Sequence, residues 1–128
     1  MEKVFVYGTL KRGERNFPLA EQAGLVRVVS GYVEGFALFH LSANSQRPYA
    51  YPAMVPGEGR VYGEVLFLPA EGLKLLDELE EEGIEYRREK VLVKTKEGMF
   101  EAWVYIYQKS LEEAVHVQGG VWSDCFDY

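Results

Sequence analysis

The sequence predicts a mixed α+β fold built on a curled sheet or small barrel. Two observations carry that expectation. Stretches of strand composition are numerous, and helices are few, with just one segment of convincing helical character.

The first strand is Val4-Phe5-Val6, a β-branched and aromatic run that stops at Tyr7-Gly8-Thr9-Leu10. Gly8 lets the backbone bend or approach a ligand closely, and the N–H groups that follow it are free of side-chain bulk. Lys11 and Arg12 put positive charge nearby. Read alone, the segment is equally well the first strand and turn of any globular domain.

Residues 11–22 carry charge and a Phe17-Pro18 step without a clean period, as an irregular loop ending in a short helix would. Residues 24–41 have strand composition interrupted by Gly31 and Gly35, which predicts two strands or one bent strand. His40 at its end reads as a structural histidine. The polar stretch 41–47 reads as an exposed loop. Residues 49–55 are apolar again, with Pro52 limiting them to an edge or a strand end. Pro56-Gly57-Glu58-Gly59 signals a turn, and 60–68 the returning strand of a hairpin. In that strand Val61, Gly63, Val65 and Phe67 share one face and Tyr62, Glu64, Leu66 and Leu68 the other, so both faces should be partly covered.

Pro69 starts the helix, which runs to about Glu82 and is stopped by Gly83. Residues 86–95 and 99–107 read as two strands joined by a turn at 96–98. The tail is less regular. It is compatible with a short helix at 111–117, and Gly119-Gly120, Trp122 and Tyr128 suggest a loop tied down by aromatics.

At 128 residues the chain is read as one domain, 1–128, long enough for a real core. Nine Tyr and seven Phe must fill much of that core and line any pocket. The net charge of -6 argues against nucleic-acid or anionic-membrane partners, though local Lys and Arg can still serve one small anion. No apolar run approaches the roughly 18 residues that span a bilayer. Glu2-Lys3 leads straight into the first strand without a signal segment. The single cysteine, Cys125, has no internal disulfide partner, which suits a reducing, cytoplasmic setting. Oligomeric state is left as monomer or homodimer.

Helix geometry singles out one acid. At roughly 100° per residue Leu73, Leu75, Leu76 and Leu79 mark an apolar sector, and Glu80 falls within about 20° of Leu73 and about 40° of Leu76. Asp77, Glu78 and Glu81 point well away, and Glu82 is intermediate. Glu80 should therefore turn inward. The negative end of the helix, the like charges of Asp77, Glu81 and Glu82, and partial burial should all raise its proton affinity, as general acid–base chemistry requires. The plainer alternative is a solvated acidic helix end.

Four stretches in order bear on the function: VFVYGTLKRG; YPAMVPG with VYGEV; Leu76-Asp77-Glu78-Leu79-Glu80; and Tyr86-Arg87-Arg88. Together they resemble the γ-glutamylcyclotransferase-like superfamily, in its γ-glutamylamine cyclotransferase and BtrG-like branch, from Val4 to about Tyr107. The resemblance implies a short mixed-strand barrel with helices outside and a cavity at one mouth. It assigns the acid/base role to Glu80 at the LDxxE position. The implied reaction is intramolecular: the substrate's α-amino group attacks its own γ-amide carbon, 5-oxoproline forms and an amine leaves, with no cofactor and no metal. Tyr7, Gly8, Thr9 and Leu10 would hold the γ-glutamyl part through backbone N–H groups. Tyr86 would wall or hydrogen-bond the pocket, or be an ordinary half-buried strand tyrosine; Tyr51 is a weaker candidate of the same kind.

The family often has Gly directly after its glutamate, whereas here Glu81-Glu82 precede Gly83. A shifted helix end would put Glu81 or Glu82 in the site instead. Other chemistries find little support, since His40 and His116 form no metal motif and no phosphate-binding glycine fingerprint is present. Two further classes stay open: a binding module for a γ-glutamyl or carboxylate ligand, and an interaction protein using Trp103 or Trp122.

Overall fold

Along β1 (Glu2–Val6), Val4 and Val6 point to one side and Phe5 to the other, and all three are buried, so protein covers both faces of the strand. The computed structural model that establishes this describes residues 1–45 and 48–124; Arg47, Cys125 and Tyr128 lie outside the described residues. The other strands are β2 (Arg27–Leu41), β3 (Tyr51–Leu68), β4 (Tyr86–Thr95), β5 (Gly98–Tyr107) and β6 (Val115–His116). They are ordered β3-β1-β5-β4-β2, and pairing of β2 with β3 closes the ring into a five-stranded barrel with β6 outside on β2. The pairing of β1 with β5 is parallel and the rest are antiparallel, so the barrel is mixed.

The alternation separates two cores. Phe5, Val61, Val65, Val93, Val104 and Ile106 pack together inside the barrel. Val4, Val6, Leu66, Leu68 and Tyr105 face the other way, against Ala20 of helix α1 (Phe17–Gln22) and Leu73 and Leu76 of helix α2 (Ala70–Leu79). Both faces of 60–68 are thus partly covered, as expected, with Tyr62 left exposed at one end.

Three local expectations are corrected. Pro56-Gly57-Glu58-Gly59 is no hairpin turn. The chain runs straight through it as part of β3, with Pro56 opposite Phe36 of β2. The register shifts there, and Gly35 takes φ 87° across from it, so these residues bend a paired strand instead of reversing it. Leu41 pairs with Tyr51, so the chain turns back before β3 begins and not within it. The interruption at 24–41 is correspondingly one bent strand. Residues 111–117 form no helix, because Val115 and His116 pair with His40 and Phe39 at the edge of β2. Finally, α2 ends at Leu79, not at Glu82.

Trp122 is fully buried, and its indole Nε1 donates to Nδ1 of buried His40 at 3.0 Å. It offers no partner surface, and His40 has the structural role expected of it. Arg88 and Lys90 cover Trp103, at 4.4 and 4.6 Å from its ring.

Candidate active site

One cavity of about 410 Å³ opens where the end of β1, the end of α2 and the start of β4 meet. Tyr7, Gly8, Thr9, Leu10, Glu80 and Tyr86, the six residues singled out from the sequence, all line it, as does Tyr51.

The β1 loop forms one wall. Lys11 N–H donates to Gly8 O at 3.1 Å, closing the turn, and Asn16 ties it down twice, from its backbone to Thr9 O at 2.9 Å and from Nδ2 to Thr9 Oγ1 at 3.0 Å. Gly8 is needed less for flexibility than for space: a Cβ there would stand 2.2 Å from Pro52 Cγ of β3. The loop is buried, yet among the described residues the N–H groups of Gly8, Thr9 and Leu10 have no protein acceptor. Three adjacent amides lining a cavity without partners make a fixed-donor site for an anion or a developing negative oxygen.

Glu80 lines the same cavity from the end of α2. The buried residues of α2, Gly72, Leu73 and Leu76, lead along the helix surface to position 80, one turn beyond Leu76, which is why this acid faces inward. Leu75 and Leu79, expected in the same apolar sector, are 50% and 38% exposed. The helix closes with Glu81 N–H on Glu78 O and Glu82 N–H on Asp77 O, the paired bonds of a Schellman end. Glu81 adopts the left-handed conformation at φ 49°, the place a glycine usually fills. The helix thus stops with Glu80 as its cap, and Glu81 and Glu82 are exposed while Glu80 lines the cavity.

Although Glu80 as a residue is only partly covered, enough protein surrounds its carboxyl that burial pushes its pKa up to about 8. The charge of Glu85 adds to the shift and the Arg15 guanidinium opposes it. The like charge thus comes from Glu85, across the turn, and not from Asp77, Glu81 or Glu82 as expected. Asp77 is committed elsewhere, accepting from the Tyr105 hydroxyl at 2.7 Å and pairing with Arg88 at 3.0 Å.

Tyrosines fill the remaining wall. Tyr7 donates to Tyr105 O at 2.5 Å, Tyr86 to Pro52 O at 2.7 Å, and Tyr51 to Glu85 Oε1 at 2.5 Å. Burial, reinforced by the acids nearby, holds the Tyr7 and Tyr86 phenols well above their ordinary pKa, so both stay protonated as neutral donors. The positive charge expected from Lys11 and Arg12 is not in the cavity. Lys11 donates to Trp122 O and Arg12 is bound to Glu64. Arg15, Glu85 and Tyr105 are lining residues that sequence reasoning missed, and no local pattern marks them.

A closed mixed barrel thus carries, at one mouth, a cavity lined both by a buried carboxyl of raised pKa and by three amides without a protein acceptor among the described residues. The chain belongs to the gamma-glutamyl cyclotransferase, AIG2-like family, whose model matches residues 4–124. Among its relatives, the Gamma-glutamylcyclotransferase family protein YtfP of Escherichia coli K12 is 33% identical over 122 residues, covering 95% of this chain and 96% of that one. The zebrafish (Danio rerio) Gamma-glutamylaminecyclotransferase A is 34% identical over 116 residues, 80% of this chain and 66% of that one. The solved structure of a Mus musculus AIG2-like protein matches at a TM-score of 0.72 and 25% identity, over 88% of this chain and 81% of that one. Among the described residues, no helix is long and apolar enough to cross a membrane.

Proposed function

We propose that the chain cyclises γ-glutamyl-amines or γ-glutamyl-peptides to 5-oxoproline, with Glu80 as general base and then general acid. The observation that carries this reading is the Glu80 carboxyl, raised in pKa by burial, in one cavity with the amides of Gly8, Thr9 and Leu10, which have no acceptor among the described residues.

Ionised Glu80 takes a proton from the substrate's α-ammonium, and the freed amine attacks the γ-carbonyl carbon. The carbonyl oxygen becomes an oxyanion held by the loop amides. Protonated Glu80 passes its proton to the leaving nitrogen, and the carbon–nitrogen bond breaks as the carbonyl re-forms. The ring nitrogen gives up a second proton by the same route. Two protons thus move from the attacking to the departing nitrogen and none is consumed. Both reacting ends belong to one molecule, so holding it folded supplies much of the rate. A pKa near 8 suits a group that must both accept and return a proton near neutrality.

A γ-glutamyl-amine is favoured as substrate by the zebrafish relative's name, while the leaving amine itself is open. The test is incubation with a panel of γ-glutamyl-amines and γ-glutamyl-dipeptides, assayed for 5-oxoproline, with Glu80→Gln alongside. Product from wild type and a loss of roughly 10²- to 10⁴-fold in the variant are expected. No product from any panel member would leave a binding module instead, and unchanged turnover in the variant would remove Glu80 from the mechanism.

A further inference from the structure

The cavity holds two acids, Glu80 and Glu85, and one cation among its described lining residues, Arg15. A γ-glutamyl group carries an ammonium and a carboxylate on the same carbon. If Glu80 takes the ammonium, as in the cyclotransferase reading on which this inference rests, the carboxylate enters the same cavity and needs a partner of opposite charge. We propose that Arg15 is the substrate-binding residue that clamps the α-carboxylate of the γ-glutamyl group.

The placement of Arg15 supports this. The 11–17 turn folds back on the β1 loop through the two Asn16 bonds to Thr9, so the residue before Asn16 is fixed beside the amide wall. Its guanidinium carbon stands 4.8 Å from the Tyr49 ring centre, and Nη1 donates to Ala50 O at 2.8 Å, with Asp124 at 3.4 Å on the same nitrogen. These contacts hold the plane of the group and use only one nitrogen. Among the described residues Nε and Nη2 have no acceptor, and that pair forms one of the two edges on which a guanidinium grips a carboxylate with two parallel bonds. Arg15 is also near enough to Glu80 to lower its proton affinity, so it stands on the side where the ammonium must sit. The loop amides are then left for the carbonyl oxygen, and Glu85 with Tyr51 for the leaving amine.

The test compares two lactams as inhibitors: 5-oxoproline, and 2-pyrrolidone, which is the same ring without the carboxylate. Wild type should bind 5-oxoproline roughly 10- to 100-fold more tightly, and Arg15→Gln should bring the two close to equality. Arg15→Lys, which keeps the charge but not the paired edge, should fall between. With γ-glutamyl-ethylamine as substrate the Arg15→Gln loss should appear mainly in KM. Equal wild-type affinity for the two lactams overturns the assignment without any variant, and so does a discrimination that survives Arg15→Gln. A loss confined to γ-glutamyl-alanine, with γ-glutamyl-ethylamine unaffected, would place the clamp on the leaving residue and overturn it as well. In each of those cases wild-type formation of 5-oxoproline leaves the cyclotransferase reading standing. Failure to turn over any γ-glutamyl compound overturns both.

Discussion

Glu80→Gln should separate the cost of the site from its use. The carboxyl has an ordinary pKa of 4.5 when the chain is unfolded and about 8 when folded. Between those values the native state keeps a proton that the unfolded state has released. Stability therefore falls as pH rises from 4.5 to 8, and above 8, where both states are ionised, the loss is complete and constant. A difference of about 3.5, at about 1.36 kcal/mol for each, comes to about 5 kcal/mol. That is a large part of the roughly 5–15 kcal/mol a domain has. Glutamine has nearly the same shape and no charge to desolvate. Urea unfolding of both proteins at pH 4.5 and pH 9 measures the effect, and their difference cancels the titration of other groups. The variant should gain about 5 kcal/mol on wild type between the two pH values, a midpoint shift of roughly 2 M or more at ordinary urea slopes. Wild type and variant curves that run parallel in pH would mean that Glu80 titrates like a surface acid, and its raised pKa could no longer support an acid–base role.

Other tests reach different parts of the site. The pH profile of kcat/KM should rise with a midpoint near pH 8 and level off above it, and Glu85→Gln, by removing the like charge, should move that rise to lower pH; an unmoved or upward-shifted limb would refute the coupling. Glu81→Gly should stabilise the protein by about 0.5–1 kcal/mol by relieving the left-handed residue at the helix end, read as a higher Tm with kcat unchanged. Gly8→Ala should cost about 1–3 kcal/mol by overpacking against Pro52 and should depress turnover, both measurable in one purified variant.

Much of this architecture is written locally. The strand at Val4–Val6, the pair β4 and β5 with its turn, and the start of α2 at Pro69 follow from apolar alternation and from proline and glycine placement. Glu80 was also legible, because one turn of helix beyond Leu76 faces the same way wherever that helix packs. What misled was turn chemistry. Pro56-Gly57-Glu58-Gly59 has the composition of a reversal, yet β2 pairs on both sides of it, Glu34 with Arg60 and Phe36 with Pro56, and makes it a bulge within a continuous strand. Likewise Val115 and His116 join a sheet edge that lies some seventy-five positions earlier in the chain.

A strand-rich α+β chain, an inward acid on its principal helix and a glycine-centred loop at the end of its first strand can all be read from the order of residues. Those are matters of spacing, and spacing acts over a few residues. Tertiary structure alone decided which charges bear on that acid. Glu85 and Arg15 come from separate loops, and Lys11 and Arg12, nearer in sequence to the β1 loop, were drawn away to Trp122 and Glu64. It also decided that Gly8 makes room for Pro52 and that the Gly8, Thr9 and Leu10 amides find no acceptor among the described residues. Burial and Coulomb interactions depend on distance through space, and only closure of the barrel sets those distances.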